Sequence, residues 1–149
     1  MSLKIQLYEQ LQLLLEQRVS NAQKAMFAAA MSKSNQTKSS AGDKFETGRA
    51  MMQAEEDRSK VQLIKAKALK NELNKVNIHV KRENVGLGSL VITDQGNYFL
   101  SVGMGKIVVN DMLCYAISPA SPMGKLLWEQ KEGAELSFRE KKICITKLV

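Results

Sequence analysis

The sequence predicts an α+β protein: an antiparallel two-helix coiled-coil hairpin followed by a small antiparallel β domain with one short helix. Three observations carry this. Residues 1–75 contain no proline and only two of the nine glycines, whereas residues 76–149 hold both prolines and the other seven glycines. Apolar residues recur every three or four positions in the first half and gather in short runs separated by turn residues in the second. A chain of 149 residues suits one small domain with an extended appendage. The expected division is a hairpin over 1–75, a polar linker over 76–84 and a globular domain over 85–149.

The first helix rests on Tyr8, Leu11, Leu15, Val19, Ala22, Met26 and Ala29, which advance by three or four residues and so form one stripe. Ala28, Ala29 and Ala30 add helix propensity and thin side chains that let a second helix come close. Ser32 to Gly42 is rich in Ser, Asn, Gln and Thr and is expected to be a loop. Helical character resumes at Asp43 and runs to about Lys75, with Met51, Ala54, Val61, Ile64, Ala68, Leu69, Leu73 and Val76 expected as its apolar contacts. Two helices of similar length joined by a short loop pack antiparallel, and about 30 residues at about 1.5 Å each make a rod on the order of 45 Å.

In the second half, Ser89–Thr93 and Tyr98–Val102 read as strands around a turn at Asp94-Gln95-Gly96-Asn97. Further strands are expected at Lys106–Asn110, Met112–Ile117, Ala134–Phe138 and Lys142–Leu148, with Arg139-Glu140-Lys141 turning between the last two. A short helix from Ser121 to about Trp128 has Ser121 as its N-cap and Pro122 as its first residue, where a missing N–H costs nothing. Leu126, Leu127 and Trp128 are expected to cover the sheet.

Composition narrows the function. The net charge of +7 is concentrated in the first half and favours phosphate-rich or acidic partners. No apolar run approaches the length of a membrane span, and the N-terminus lacks the pattern of a signal peptide, so a cytoplasmic protein without membrane contact is expected. Cys114 and Cys144 lack metal-ligand spacing and read as reduced thiols. His79 is the one histidine, which excludes a multi-histidine metal site. Gly86-Leu87-Gly88 and Gly103-Met104-Gly105 each lack the third glycine and following helix of a dinucleotide loop.

Between Arg18 and Ala54 the only acidic residues are Asp43 and Glu46, set among Lys33, Lys38, Lys44 and Arg49. Asp43-Lys44-Phe45-Glu46 fits a capping box, in which Asp43 accepts a backbone N–H and Glu46 reaches back. The same spacing suits a pair of carboxylates that hold a cation. Magnesium prefers six oxygens, so such a pair works only when it is inserted into another site that supplies the rest.

Ile117-Ser118-Pro119-Ala120-Ser121-Pro122-Met123-Gly124-Lys125-Leu126-Leu127, followed by Glu132-Gly133 and a closing strand pair, resembles the C-terminal domain of the GreA/GreB transcript cleavage factors. Val85 to Val91 resembles that domain's opening strand, Tyr98 to Gly103 its next strand, and Gly42-Asp43-Lys44-Phe45-Glu46 the tip of the family's helical hairpin. The resemblance implies that the second half is FKBP-like and docks on RNA polymerase at the rim of its secondary channel, through a loop holding Ser118, Ser121 and Pro122. It implies that the hairpin enters the channel and that Asp43 and Glu46 help hold an Mg2+ ion shared with the polymerase active site. The chain would then be an accessory factor, not itself an enzyme, that stimulates hydrolysis of backtracked RNA. It would bind no cofactor alone, act on no small-molecule substrate and meet the nascent RNA 3′ end only indirectly. Lys33, Lys38, Lys44 and Arg49 would form a basic tip.

The chain departs from the family pattern in two places. Ala120 stands where Asn or Asp is common, and Thr47-Gly48-Arg49-Ala50 replaces the usual Asn-Ala-Glu-Tyr. A second reading is therefore a non-cleaving regulator that occupies the channel. A third, a prolyl isomerase or chaperone, rests on fold analogy alone and is disfavoured, because the second half lacks the aromatic residues that would line such a pocket.

Overall fold

The computed structural model describes residues 2–37 and 42–149, excepting the side chains of residues 36–37 and 42–45. Two long helices, α1 (Leu3–Thr37) and α2 (Gly42–Asn74), pack together and precede six strands and a short helix. The strands are β1 (Leu90–Thr93), β2 (Gly96–Leu100), β3 (Gly105–Val109), β4 (Met112–Ile117), β5 (Glu135–Phe138) and β6 (Lys141–Leu148), with α3 (Pro122–Leu127) between β4 and β5. The α+β class expected from the sequence is the one observed. No helix among the described residues is long and apolar enough to cross a membrane.

The chain divides into two compact units. One is Leu13–Lys70; the other joins Met1–Gln12 to Asn71–Val149.

In the helical unit, the stripe expected on α1 faces inward. Leu15, Ala22 and Ala29 are buried, and Val19 and Met26 are half-buried. Of the apolar contacts expected along α2 and just beyond it, Leu69 is half-buried and Leu73 and Val76 are buried, whereas Met51, Ala54, Val61, Ile64 and Ala68 are exposed. The inward residues are instead Met52, Glu56, Ser59, Leu63, Ala66 and Lys70, spaced alternately by four and three. This is the 3.5-residue period of a coiled-coil seam. Polar residues occupy three of its positions, so the larger apolar side chains on other faces mislead a reading based on hydropathy alone. The ion pair between Lys33 and Glu56 joins α1 to α2. Stepping along the seam from that pair sets Ala29 level with Ser59, Met26 with Leu63 and Ala22 with Ala66. The short side chains of the Ala29–Ser59 and Ala22–Ala66 layers permit close approach.

Helix α1 also runs through Ser32–Thr37, which was expected to be loop. That stretch contains neither glycine nor proline, and Ser, Asn and Thr weaken a helix without ending it.

In the second unit the sheet order is β3-β4-β2-β1-β6-β5. All neighbours are antiparallel except β2 and β4, which run parallel with Asn97 beside Cys114 and Leu100 beside Ile117. The sheet is thus mostly antiparallel, as expected, with one parallel pair inside it. After β2 the chain moves out to form β3 at the edge, and β4 returns between them. Both β3–β4 and β5–β6 turn through two residues of positive φ, Asn110-Asp111 (51° and 63°) and Arg139-Glu140 (51° and 67°). Consecutive left-handed residues match the right-handed twist of a hairpin.

Val85, Val91, Leu100, Met123, Leu127, Ile143 and Ile145 form the core of this unit. Trp128, expected in that core, is 38% exposed. The helix is only six residues long, and Trp128 is its C-cap at ψ 130°, where the chain has already left the helical path. Met123 and Leu127, one turn apart, do the covering, helped by half-buried Leu126.

Candidate functional sites at the helical tip and the Ser-Pro loop

The tip is built where α1 ends and α2 begins. Helix α2 starts at Gly42, so Asp43 and Glu46 fall in its first turns, three positions apart. Carboxylates there are favoured by the partial positive charge of the helix N-terminus. Glu46, Thr47 and Arg49 are exposed and Gly48 is half-buried. Lys38 and the side chains of Asp43 and Lys44 lie outside the described residues, as do the side-chain contacts of the expected capping box.

Lys33 Nζ donates to Gln53 Oε1 at 2.8 Å and to Glu56 Oε2 at 3.0 Å. Its ammonium is thereby held across the hairpin. Gln53 in turn donates to Asp57 Oδ1 at 3.0 Å, extending the contact one turn along α2.

Among the described residues no group of three or more His, Cys, Asp or Glu side chains could hold a metal ion. Asp43 and Glu46 nevertheless offer the hard oxygen donors that magnesium takes. Two carboxylates fall short of an octahedral shell, so they fit a shared ion and not one held by this chain alone.

The Ser-Pro loop is a compact knot. Ser121 Oγ donates to Ser118 O at 2.7 Å and accepts from Gly124 N at 3.0 Å, while Ser121 N donates to Ser118 O at 3.1 Å. Ser121 is the N-cap of α3, as expected, and Pro122 occupies the first helical turn. Pro122 and Ala120 are exposed, and Ser118 and Ser121 are half-buried. The loop therefore offers Ala120 and Pro122 outward on a frame held by the two serines. Gly124 seals it: a Cβ there would stand 2.1 Å from Ser118 O and 3.0 Å from Pro119 Cα. The sequence reading passed over this glycine, although its place inside a Ser-Pro run was a signal.

The structure thus assigns a local role to Ser121 and places Glu46 and Arg49 at the surface. Asp43 and Glu46 share one helix and belong to the helical unit, whereas Ser118, Ser121 and Pro122 belong to the other. No protein-family model matches this chain, and no curated protein matches it either.

Proposed function

We propose that this chain is an accessory factor of RNA polymerase. It inserts its helical hairpin into the secondary channel and stimulates hydrolysis of backtracked RNA. The observation that carries the reading is the position of Asp43 and Glu46 at the start of α2, where one helix of a paired rod gives way to the other. A two-helix seam with small residues in its layers is narrow, as entry into a channel requires. The rigid Ser-Pro loop supports the docking role given to Ser118, Ser121 and Pro122. On this reading the chain works where the polymerase does, in the cytoplasm.

Asp43 and Glu46 would add oxygens to a magnesium ion held mainly by the polymerase. Such an ion, when bound, lowers the pKa of a water and neutralises charge on the phosphoryl oxygens. The chain's own task is to bring the two carboxylates to the reaction and hold them on a helix start. Lys33 braces the helix pair behind them, and Arg49 lies one turn beyond Glu46.

Release of short RNA 3′ fragments from backtracked elongation complexes tests the proposal. The protein is expected to accelerate release, and Asp43→Ala or Glu46→Ala to abolish that acceleration while leaving polymerase binding within about twofold. The second reading, a non-cleaving channel regulator, is favoured by exposed Arg49 and by Gly48, which loosens the first turns by about 1 kcal/mol relative to alanine. It predicts binding, no acceleration, and a transcriptional effect that survives both substitutions.

A further inference from the structure

The segment 78–82, the first turn of α1 and the end of β6 line a half-open cleft of about 470 Å³ within the sheet-bearing unit. Four cationic side chains line it: Lys4, Lys81, Arg82 and Lys147. The four come from three parts of the chain far apart in sequence, so their meeting is a product of the fold.

Lys4 is only 6% exposed. Its Nζ donates to Val149 O at 3.2 Å, and no carboxylate side chain among the described residues lies within ion-pairing distance of any of the four. Burial, followed by the charge of Arg82, holds the Lys4 ammonium below its ordinary pKa. Even if Val149 carries a terminal carboxylate, the lining keeps a net charge of about +3 at neutral pH. Glu83 and Glu132 line an adjoining recess that shares Arg82 and Leu148 with the cleft, and Glu132 Oε1 accepts from Leu148 N at 2.8 Å.

Arg82 is also seated with care. Its side chain passes so close to Gly86 that a Cβ there would stand 2.9 Å from both Cδ and Nε. The remaining wall is apolar, formed in part by Ile5, Ile78 and Leu148.

Like charges gathered around a cavity repel one another and lower each other's affinity for protons, a cost that a bound polyanion removes. The cavity has the size of a small-molecule site, with an apolar wall beside its charged groups. We infer that this cleft binds a small organic polyphosphate of the nucleoside diphosphate class, its phosphates on Lys4, Lys81, Arg82 and Lys147 and its ring system against the apolar wall. An extended nucleic acid backbone fits less well, because one of the four cations is buried and all four line a single bounded cleft.

Calorimetric titration of the whole protein with ADP, inorganic pyrophosphate and adenosine tests this, independently of any polymerase assay. ADP is expected to bind at one site, at least about threefold more tightly than pyrophosphate and about tenfold more tightly than adenosine. Arg82 and Lys147 are exposed, so Arg82→Gln with Lys147→Gln leaves the fold intact and is expected to weaken ADP by about tenfold or more. Lys106→Gln with Lys125→Gln, which removes two cations of the same unit outside the cleft, should change ADP affinity less than about twofold. No ADP binding at millimolar concentration, or equal losses in the two double variants, overturns the site. Equal affinity for ADP and pyrophosphate overturns the nucleoside class, and equal affinity for ADP and adenosine overturns the role of the phosphates.

Discussion

Gly124 and Gly103 differ in what a methyl group would meet. At Gly124 it would collide with Ser118 O at 2.1 Å, whereas at Gly103 nothing lies within 4 Å and φ is not positive. Gly124→Ala is therefore expected to destabilise the protein by about 2 kcal/mol or more, and Gly103→Ala to leave it unchanged or slightly more stable. Urea denaturation followed by Trp128 fluorescence separates the two. Ser121→Ala should cost about 1 kcal/mol, the value of a lost N-cap. The Ser-Pro run was legible as a cap and turn because Ser-Pro before a helix has a fixed backbone meaning. The packing of Gly124 was not, since it depends on a carbonyl six residues earlier folding back over it.

Cys114 is fully buried and Cys144 half-buried. Burial pushes the Cys114 thiol above its usual 9.0, a rise that the hydrogen bond with Asn97 partly offsets. Burial likewise raises Tyr98, with its stacked neighbour Tyr115 adding to the effect. An acid whose folded pKa is raised stabilises the fold below its unfolded pKa and loses that contribution as pH climbs through the folded value. Stability should thus decline above about pH 9, and Cys114→Val should lessen the decline. At neutral pH an alkylating agent should modify Cys144 and spare Cys114 until the protein unfolds, which mass spectrometry of labelled peptides would show.

At the scale of the element, the seam of α2 makes neighbouring residues unequal. Leu63 lies half-buried on the inward face, while Ile64 is 59% exposed. Leu63→Ala is expected to cost about 1–2 kcal/mol of helical-unit stability, and Ile64→Ala less than about 0.5 kcal/mol, by thermal denaturation followed at 222 nm. The reverse order would mean that the wrong face has been assigned. Lys33 and Glu56 have side chains 24% and 26% exposed, so solvent screens their attraction. A double-mutant cycle should give a coupling of about 0.5–1 kcal/mol that shrinks in high salt. The stripe on α1 was legible because nearly all its members are apolar. The stripe on α2 was hidden by Glu56, Ser59 and Lys70, and only its period of alternating fours and threes could have disclosed it. The parallel β2–β4 pair was hidden for another reason: strand order is set by pairing across space, and hairpin-like spacing along the chain suggests neighbours that the fold does not use.

At the scale of the whole molecule, the sheet-bearing unit is discontinuous, for it includes Met1–Gln12 and begins again at Asn71. Lys4 bonds to Val149, Tyr8 Oη donates to Leu73 O at 3.2 Å, and Gln6 and Asn110 are hydrogen-bonded. Gly88 approaches Asn77 so closely that a Cβ would stand 2.5 Å from its carbonyl oxygen. A fragment of residues 85–149 lacks these contacts, together with buried Leu7, Leu11, Leu73 and Val76. It should be less stable than the same sheet in the full chain by about 2 kcal/mol or more, read from Trp128 fluorescence in urea. The two halves were legible from glycine, proline and spacing. The return of the first helical turns to the sheet was not, because the hydrogen bonds that mark it join residues 65 to 145 positions apart.

The place of β6 between β1 and β5 has a consequence for how the chain is made. Synthesis proceeds from the N-terminus, so β1 and β5 emerge while the strand that must lie between them is still absent. Until residues 141–148 arrive, β1 carries an unpaired row of amides and carbonyls on that side, and Ile143 and Ile145 have yet to join the core. A nascent chain stalled before β6 therefore displays an open strand edge, the kind of surface that a second unfinished copy on a neighbouring ribosome can pair with.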